Sequence, residues 1–515
     1  MATLDTPLPG TLHRTDRIAH ALTRDWHVGL LAAAVLAFLL GLLSASVMPR
    51  GPVTAANGLL VMAIGLAVGL LTGALTRRAW AIVPVGLAYL VALELGRIDA
   101  TGPTLDLVRL DNTFGLMALA VSRGLHGILL LVPMLFGTAL GTRLPPAPAG
   151  RQRGLPIGTT ILGAATVGLA VLVAMPASTP PILGADGQPI PGSIAELANV
   201  DLNGSEQTIM IRAADPDNPV LLYLSGGPGQ SDFGYSRPIS SVWDDDVVFV
   251  DWDQRGNGNS YPAIEPMSEM TLDNAVADTI ALTEYLTERF DEERIYVMGE
   301  SWGTLLGVLA AQQRPDLYHA YIGSGQMVNI RETDRRIYED LVAYAAVTGN
   351  AELATTLADF GAPPYRDFPL TNGMIWSYYD YIYEAYTPSE TYERLLTEAA
   401  PGFYGLAASE YDLMNKANAV RGLFDTFSVL YPQVYDVDLR TDATTLEVPV
   451  WILDGAAELD GRRDLALEWA TQLDAPMKGV VTYDDAAHSV AFEQVDAVHG
   501  LLVEEILPAT YEPGE

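Results

Sequence analysis

The hydrophobic pattern divides the chain near residue 180. Before that point, apolar runs approach or reach the ~20 residues that cross a bilayer. The predicted spans are Val28–Val47, Gly58–Leu75, Trp80–Leu95, Thr113–Leu140 and Ile157–Met175. The fourth span is interrupted by Arg123 and His126, which are either functional groups inside a membrane or side chains at a helix break that reach a cavity or the interface. The pattern predicts an all-α transmembrane domain of about five helices over residues 28–175.

After a Pro/Gly-rich linker at 176–192, short apolar runs alternate with amphipathic segments such as Thr271–Phe290, a predicted helix. The predicted strands are Thr208–Ala213, Val220–Ser225, Val247–Trp252, Arg294–Met298, Val448–Asp454 and Gly479–Tyr483. Strands that alternate with helices favour an α/β fold with a mostly parallel sheet covered on both faces. Residues 193–326 and 441–515 are predicted to form this core. Residues 327–440 lose the strand signal and predict a helical cap.

Charge is as unevenly spread as hydrophobicity. The first 180 residues hold 12 Lys and Arg against 7 Asp and Glu, whereas the remainder holds 17 against 56. An acidic domain repels phosphates, which argues against a nucleic-acid partner. The chain has no cysteine, which excludes disulfides and thiolate metal sites.

The basic residues also predict an orientation in the membrane. Arginines cluster before the first predicted span, after the second, and between the fourth and fifth. The positive-inside rule makes these loops, and residues 1–27, cytoplasmic. With five spans, the domain after Met175 is extracytoplasmic. If Thr113–Leu140 does not span, that domain becomes cytoplasmic.

One pentapeptide carries most of the functional information. Gly299-Glu300-Ser301-Trp302-Gly303 lies between a predicted buried strand and a predicted helix. This pattern is typical of a nucleophile elbow, in which a tight turn presents the serine hydroxyl. The alternative is an ordinary Gly/Ser turn.

A serine nucleophile needs a base and an acid, in the chain order Ser, acid, His. His488 is the candidate base because it alone among the histidines lies in a loop after a strand, beyond the acid candidates; His319 and His499 lie in helix-like contexts. Glu458, three residues after Gly455, is the candidate acid. Asp460 is the alternative acid, and Asp464 falls too late in the chain.

A second glycine motif supplies candidate oxyanion donors. Gly226 and Gly227 lie in Ser225-Gly226-Gly227-Pro228-Gly229, directly after a predicted strand. The N–H of Gly227 or Gly226 and the N–H of Trp302 would bind the oxyanion. The alternative is a Gly/Pro turn without a catalytic part.

Three motifs together resemble the prolyl iminopeptidase family of α/β-hydrolases (peptidase family S33). They are Gly226-Gly227-Pro228-Gly229, Asp253-Gln254-Arg255-Gly256-Asn257-Gly258-Asn259-Ser260, and the Ser301 pentapeptide. The segment around His488 is also similar, and Glu458 falls at the family's acid position. The resemblance covers about Val200 to the C-terminus. It implies an α/β-hydrolase fold with a helical cap, and a serine exopeptidase that releases an N-terminal residue, often proline, without cofactor or metal.

The chain departs from the family at three points. Ser225 stands where the family usually has histidine, the acid is glutamate rather than aspartate, and the apolar first half has no counterpart. The resemblance also implies that a cap glutamate binds the substrate's ammonium. Glu384 is the candidate, and a solvent-facing glutamate is the alternative. Arg255 is expected to have a structural role.

These observations predict a membrane-anchored serine hydrolase with peptide or other small acyl substrates and the lipid bilayer as partners. The same machinery could act on non-peptide esters or amides instead. A third possibility is an inactive membrane sensor or scaffold, which the intact set of Ser, acid and His disfavours.

Overall fold

The computed structural model describes residues 25–511 apart from 107–109, 111–112, 145–154, 366–369, 401 and 403–404. The described residues form two compact units. The first runs up to Thr101 and from Ser122 to Met175, and the second comprises Gly102–Val121 and the residues from Pro176 onward. The segment Gly102–Val121 therefore folds with the second unit, although its sequence lies within the apolar first half.

Within the described residues, five helices are long and apolar enough to cross a membrane. They are Trp26–Val47, Ala55–Thr76, Ala79–Gly96, Thr113–Gly141 and Ile157–Ala174. Asp25 and Thr54 cap the first two with side-chain oxygens. Gly65, Gly69 and Gly73 let the second helix touch the backbone of the fourth, since a Cβ at any of them would lie within 2.3 Å of a carbonyl oxygen. Such small-residue contacts are typical of helices that pack in membranes.

The two polar residues that interrupt the fourth apolar run have partners in the first unit. Arg123 donates to both carboxylate oxygens of Glu94 at 3.2 and 3.1 Å. His126 Nε2 lies 3.3 Å from the Tyr89 hydroxyl, which donates to Ser44. These contacts connect neighbouring helices, so both residues have a packing role in this unit.

The second unit is built on an eight-stranded sheet with the order β1-β2-β4-β3-β5-β6-β7-β8. Its strands are β1 Ile194–Leu202, β2 Ser205–Ala213, β3 Val220–Leu224, β4 Val248–Asp253, β5 Ile295–Glu300, β6 Tyr318–Ser324, β7 Val450–Gly455 and β8 Lys478–Tyr483. β1 pairs antiparallel with β2, β2 pairs antiparallel with β4, and all later pairs are parallel. Every residue of β3 to β7 is buried, as expected for parallel strands covered on both faces.

Helices of the second unit precede β1, connect several of the strands, fill the interval between β6 and β7, and follow β8. The longer ones are Leu272–Phe290, Trp302–Gln313, Ile330–Thr348, Leu413–Leu430 and Asp460–Gln472, and the shorter ones are Pro103–Asp106, Thr113–Leu119, Phe233–Ser240, Ala351–Phe360, Leu370–Trp376, Glu390–Ala399, Leu439–Asp442, Val490–Glu493, Val495–Leu501 and Leu507–Thr510. Local signals set their starts: Thr271, Asn329 and Asp412 each accept a hydrogen bond from a backbone N–H in the first turn. We call residues 327–440 the cap segment.

The topology confirms the predicted α/β-hydrolase architecture, a mostly parallel sheet with an added helical region. The expectation for His319 was wrong, because this residue lies in β6 rather than in a helix. The pattern analysis missed two strands, β6 and β1. The first five residues of β1 are only partly buried, and the strand pairs along its whole length with β2.

Candidate active site

Ser301 occupies a sharp turn between β5 and the helix Trp302–Gln313. Its backbone has φ 51° and ψ −117°, a left-handed conformation that costs a non-glycine residue about 1–3 kcal/mol. The positions on either side of Ser301's turn, Gly299 and Gly303, have no room for a side chain. A Cβ at Gly303 would lie 1.9 Å from the Leu224 carbonyl oxygen, and one at Gly299 would lie 2.5 Å from that of Gly303. The strained turn presents the Ser301 hydroxyl at the carboxyl edge of the sheet.

His488 and Glu458 come from two loops that the fold presses together. The end of β7 and the loop after β8 touch at Gly455, where a Cβ would lie 2.2 Å from the Ala487 carbonyl oxygen. Ala457 N–H also donates to the Ala486 carbonyl oxygen at 3.0 Å. The turn that follows Gly455 carries Glu458, whose Oε2 is hydrogen-bonded to His488 Nδ1. That bond leaves Nε2 as the imidazole nitrogen able to exchange a proton with a serine.

The environment of Glu458 keeps it ionised. Burial alone would raise its pKa, but the charges of His488 and Arg462 and several hydrogen bonds hold the pKa well below its usual range. Arg462 Nη1 lies 3.4 Å from Glu458 Oε1 and 3.3 Å from His488 Nδ1. The Leu459 N–H donates to the same Oε1 at 2.8 Å. A fixed, charged carboxylate can orient an imidazole and stabilise its protonated form.

The alternative acids lie elsewhere. Asp460 is exposed at the start of the helix Asp460–Gln472. Asp464, on the same helix, is 64% exposed at its side chain and lies 3.6 Å from Arg336. The structure thus brings Glu458, the first of the three candidates, to His488.

Ser301 and His488 line one cavity of about 770 Å³. The Ser301 hydroxyl is hydrogen-bonded to Met327 Sδ at 3.7 Å. The remaining wall comes largely from the cap segment and includes aromatic side chains: Tyr235, Trp376, Tyr379, Tyr383, Tyr386 and Tyr392. The nucleophile and base candidates therefore open into a space large enough for an amino-acid residue and its leaving group.

The Gly226-Gly227 loop abuts the serine. A Cβ at Gly226 would lie 3.4 Å from Ser301 Cβ, and Gly227 adopts φ +115° and lines the cavity. Trp302 has a fully buried side chain and contributes the backbone N–H that follows the serine. The candidate oxyanion donors are thus next to the nucleophile on two sides.

Gln254 joins the two loops, a role that the motif alone did not reveal. Its side-chain oxygen accepts from Trp302 Nε1 at 2.9 Å, and its amide nitrogen donates to the carbonyl oxygen and hydroxyl of Ser225 at 3.1 and 3.2 Å. The adjacent Arg255 forms a bidentate ion pair with buried Asp278, as its expected structural role requires.

A group of buried carboxyls contacts residues that line the cavity, since Glu300 accepts from Ser489 and Asp232 accepts from Gln230. Glu300 accepts hydrogen bonds from the hydroxyls of Ser489 and Tyr223 at 2.9 and 3.2 Å. Burial, followed by the charge of Asp232, raises the pKa of Glu300 to about 8. Burial likewise raises the pKa of Asp253 to about 7 and that of Asp232 to about 6. Sequence reasoning missed this group, because only the folded sheet brings its members together.

The candidate substrate-binding glutamate lies outside the cavity wall. Glu384 is exposed, whereas its neighbours Tyr383 and Tyr386 line the cavity. Glu493 also lines the cavity; it accepts from the Ala487 N–H at 2.6 Å and from the Tyr386 hydroxyl at 3.0 Å. In the part of the chain that the structure describes, no group of three or more His, Asp or Glu side chains is arranged to hold a metal ion.

Comparisons with known proteins point to one enzyme class. A family profile described as serine aminopeptidase, S33, matches residues 221–356. A probable aminopeptidase of Bacillus subtilis (strain 168), YbaC, is 29% identical over 303 residues, which cover 59% of this chain and 93% of that protein. A proline iminopeptidase of Neisseria gonorrhoeae is 32% identical over 105 residues, which cover 20% of this chain and 31% of that protein.

Two solved structures are similar to part of this chain at low sequence identity. A proline iminopeptidase-related protein from Thermus thermophilus has a TM-score of 0.43 at 20% identity, covering 62% of this chain and 98% of that one. The proline iminopeptidase of Mycobacterium smegmatis has a TM-score of 0.44 at 17% identity, covering 61% and 98%. The sequence matches confirm the predicted resemblance: the second unit is an α/β-hydrolase of the serine peptidase class, similar to the aminopeptidases and prolyl iminopeptidases of family S33.

Proposed function

We propose that this chain is a membrane-held serine aminopeptidase that releases N-terminal residues through Ser301, His488 and Glu458. The observation that carries the proposal is the hydrogen bond between Glu458 and His488, because His488 lines the same cavity as the strained Ser301 turn. A serine hydroxyl becomes nucleophilic only when a base accepts its proton, and an imidazole held by a carboxylate is such a base.

The reaction follows from these positions. Ser301 Oγ attacks the carbonyl carbon of the scissile bond while His488 Nε2 takes the hydroxyl proton. The N–H groups of Gly227 and Trp302, with Gly226 as the alternative to Gly227, stabilise the oxyanion of the tetrahedral intermediate. His488 then protonates the leaving amine, which departs and leaves an acyl-enzyme on Ser301. Water, deprotonated by His488, attacks the ester and releases the N-terminal residue as a free acid.

The cavity wall supports a substrate with a free N-terminal ammonium. Glu493 presents a carboxylate there, and tyrosine and tryptophan rings attract a cation and pack against an apolar side chain or a proline ring. We propose Glu493, in place of the exposed Glu384, as the ammonium-binding carboxylate. The glutamine variants of Glu493 and Glu384 form a matched pair. We expect Glu493→Gln to raise KM for free-amine substrates by about tenfold and Glu384→Gln to leave KM unchanged.

The five apolar helices support membrane anchoring. The arginine clusters favour a cytoplasmic N-terminus and an extracytoplasmic catalytic unit. Labelling of a single cysteine is a clean test because the chain has no native cysteine. A cysteine at exposed Glu384 should react with a membrane-impermeant maleimide in intact cells; reaction only after lysis would reverse the orientation.

The activity is tested with the full chain in detergent. The substrates are the arylamides of Pro, Ala and Leu, their N-acetylated forms, and a short-chain ester, each offered to the native protein and to Ser301→Ala. Cleavage of the free-amine arylamides, lost in the variant, is the expected result. Ester cleavage alone would assign a small-molecule esterase instead, and no Ser301-dependent turnover would favour a sensor or scaffold.

A further inference from the structure

The segment Gly102–Val121 is built into the second unit through the helix Leu413–Leu430, which we call the cap helix. Asp425 of the cap helix is fully buried and accepts from the N–H and the hydroxyl of Thr104 at 2.9 and 2.6 Å. Arg421, also fully buried, donates through Nε and Nη2 to the Val121 carbonyl oxygen at 3.1 and 2.6 Å. Both ends of the segment are thus held by buried charged side chains.

An apolar contact lies between these two polar ones. The ring of Phe114 packs edge-on against Phe424 of the cap helix, with ring centroids 6.2 Å apart. Ala118 is 1% exposed in the same cluster. Gly373 also contacts Phe114, since a Cβ there would lie 3.1 Å from the ring. The described residues of the segment therefore pack against the cap segment through polar and apolar contacts.

The same stretch of the cap helix touches the catalytic loops with its other residues. Leu423 lines the cavity that holds Ser301. A Cβ at Gly229 would lie 2.6 Å from the Gly422 carbonyl oxygen, so the cap helix backs the proposed oxyanion loop directly. Thr426 donates to the Gly256 carbonyl oxygen at 2.9 Å. About one and a half helical turns thus connect the segment to the active-site wall.

The length of the fourth apolar helix agrees with this division. Thr113–Gly141 has 29 residues, or about 43 Å, against a hydrocarbon core of about 30 Å. The residues from Ser122 to Gly141, which belong to the first unit, suffice for one crossing. Residues Thr113–Val121 are therefore not needed to cross the membrane and can pack with the second unit.

We propose that Gly102–Val121 is a positioning element of the active site. It fixes the cap helix against the Gly226–Gly229 loop. The substrate cavity therefore takes its shape only when the segment is packed against the cap helix. None of the segment's described residues lines the cavity that holds Ser301. Its effect reaches the substrate through Leu423 and the backing of Gly229.

The test compares Thr104→Val with Thr160→Val in the full chain. Thr104→Val keeps the side-chain shape and removes the hydroxyl bond to Asp425, whereas Thr160→Val makes the same change in the helix Ile157–Ala174, outside the segment. Phe114→Leu serves as a second probe that involves no hydrogen bond. Hydrogen exchange of residues 413–430 and the kcat and KM of the best arylamide are measured for each.

We expect Thr104→Val and Phe114→Leu to speed exchange in the cap helix and to raise KM by about three- to tenfold, with kcat within about twofold. Thr160→Val should match the native protein in both. Native exchange and KM in both segment variants would overturn the proposal. Faster exchange with an unchanged KM would overturn it as well, because the segment would then stabilise the fold without shaping the cavity.

The kinetic readout rests on the proposed function, and the exchange readout does not. If the native protein hydrolyses no substrate, the proposed function fails. In that case, hydrogen exchange of the Gly226–Gly229 loop tests the positioning role. Faster exchange in Thr104→Val than in the native protein supports the role, and an equal rate contradicts it.

Discussion

The hydrolase core and the cap segment both line the cavity that holds Ser301, but with different kinds of side chain. The core contributes Ser301 and His488 from turns that follow β5 and β8, and Glu458, in the turn after β7, is hydrogen-bonded to His488. Close backbone contacts fix those turns. The cap segment contributes several large aromatic side chains, Trp376, Tyr379, Tyr383 and Tyr386 among them. Under the proposed function, the core carries out the reaction on rigid turns and the cap segment recognises the substrate. This division allows the substrate to vary while the nucleophile stays in place.

The largest expected effect lies in the core, at the base. Replacement of His488 by Ala removes the proposed proton acceptor, so kcat for the best arylamide should fall by about 10⁴-fold or more, with a smaller change in KM. The measurement is steady-state kinetics on detergent-solubilised protein. A loss below about tenfold would indicate that the base is another residue.

Glu458→Gln tests the acid and should give the second largest effect. A neutral side chain no longer stabilises the charged imidazole, so kcat should fall by about 10²–10⁴-fold. Asp460→Asn is the matched control, because it neutralises the alternative acid two residues later at an exposed position. Equal losses in both variants would contradict the assignment of Glu458.

Tyr383→Phe sharpens the difference between core and cap. The Tyr383 hydroxyl donates to Glu458 Oε1 at 3.5 Å and lies 3.4 Å from Arg462 Nη1, so a long hydrogen bond connects the cap segment to the acid. Its loss should lower kcat/KM by only about two- to tenfold. A loss as large as that of Glu458→Gln would show that the cap shares in the chemistry.

The smallest effect on rate is expected at Glu300, where stability changes instead. Burial raises the pKa of Glu300 to about 8, against ~4.3 in an unfolded chain. Between those pH values the folded protein keeps a proton that the unfolded chain releases, so stability from this group falls as pH rises from about 4.3 to about 8. Glu300→Gln cannot ionise.

The Tm of Glu300→Gln should therefore fall less between pH 5 and pH 8.5 than the Tm of the native protein. Thermal unfolding of the full chain at several pH values measures the difference. Parallel Tm profiles in the two proteins would contradict a raised pKa at this site.

The core was more predictable from the sequence than the cap. Ser301, Glu458 and His488 follow strands in the order that the fold requires, and short glycine motifs record the backbone contacts around them. β1 escaped prediction because its Ala, Glu and Asn residues do not favour strands, and its pairing with β2 supplies the stability.

The long-range contacts of the cap and of the buried carboxyls were unpredictable for a different reason. Asp425 meets Thr104 across 321 positions of the chain, and Glu300 meets Ser489 across 189. No local pattern records contacts between such distant residues. The aromatic residues near Glu384 indicated a recognition surface, but their backbone turns Tyr383 and Tyr386 toward the cavity and leaves Glu384 exposed.

Covalent labelling tests the central claim most directly. A fluorophosphonate reacts with a serine only when a neighbouring base and oxyanion donors activate the hydroxyl. The native full chain should gain one adduct, located at Ser301 by mass spectrometry, while Ser301→Ala gains none and His488→Ala reacts at least about 10²-fold more slowly. An unlabelled native chain, or equal labelling of the native protein and Ser301→Ala, would contradict a serine hydrolase site at this cavity.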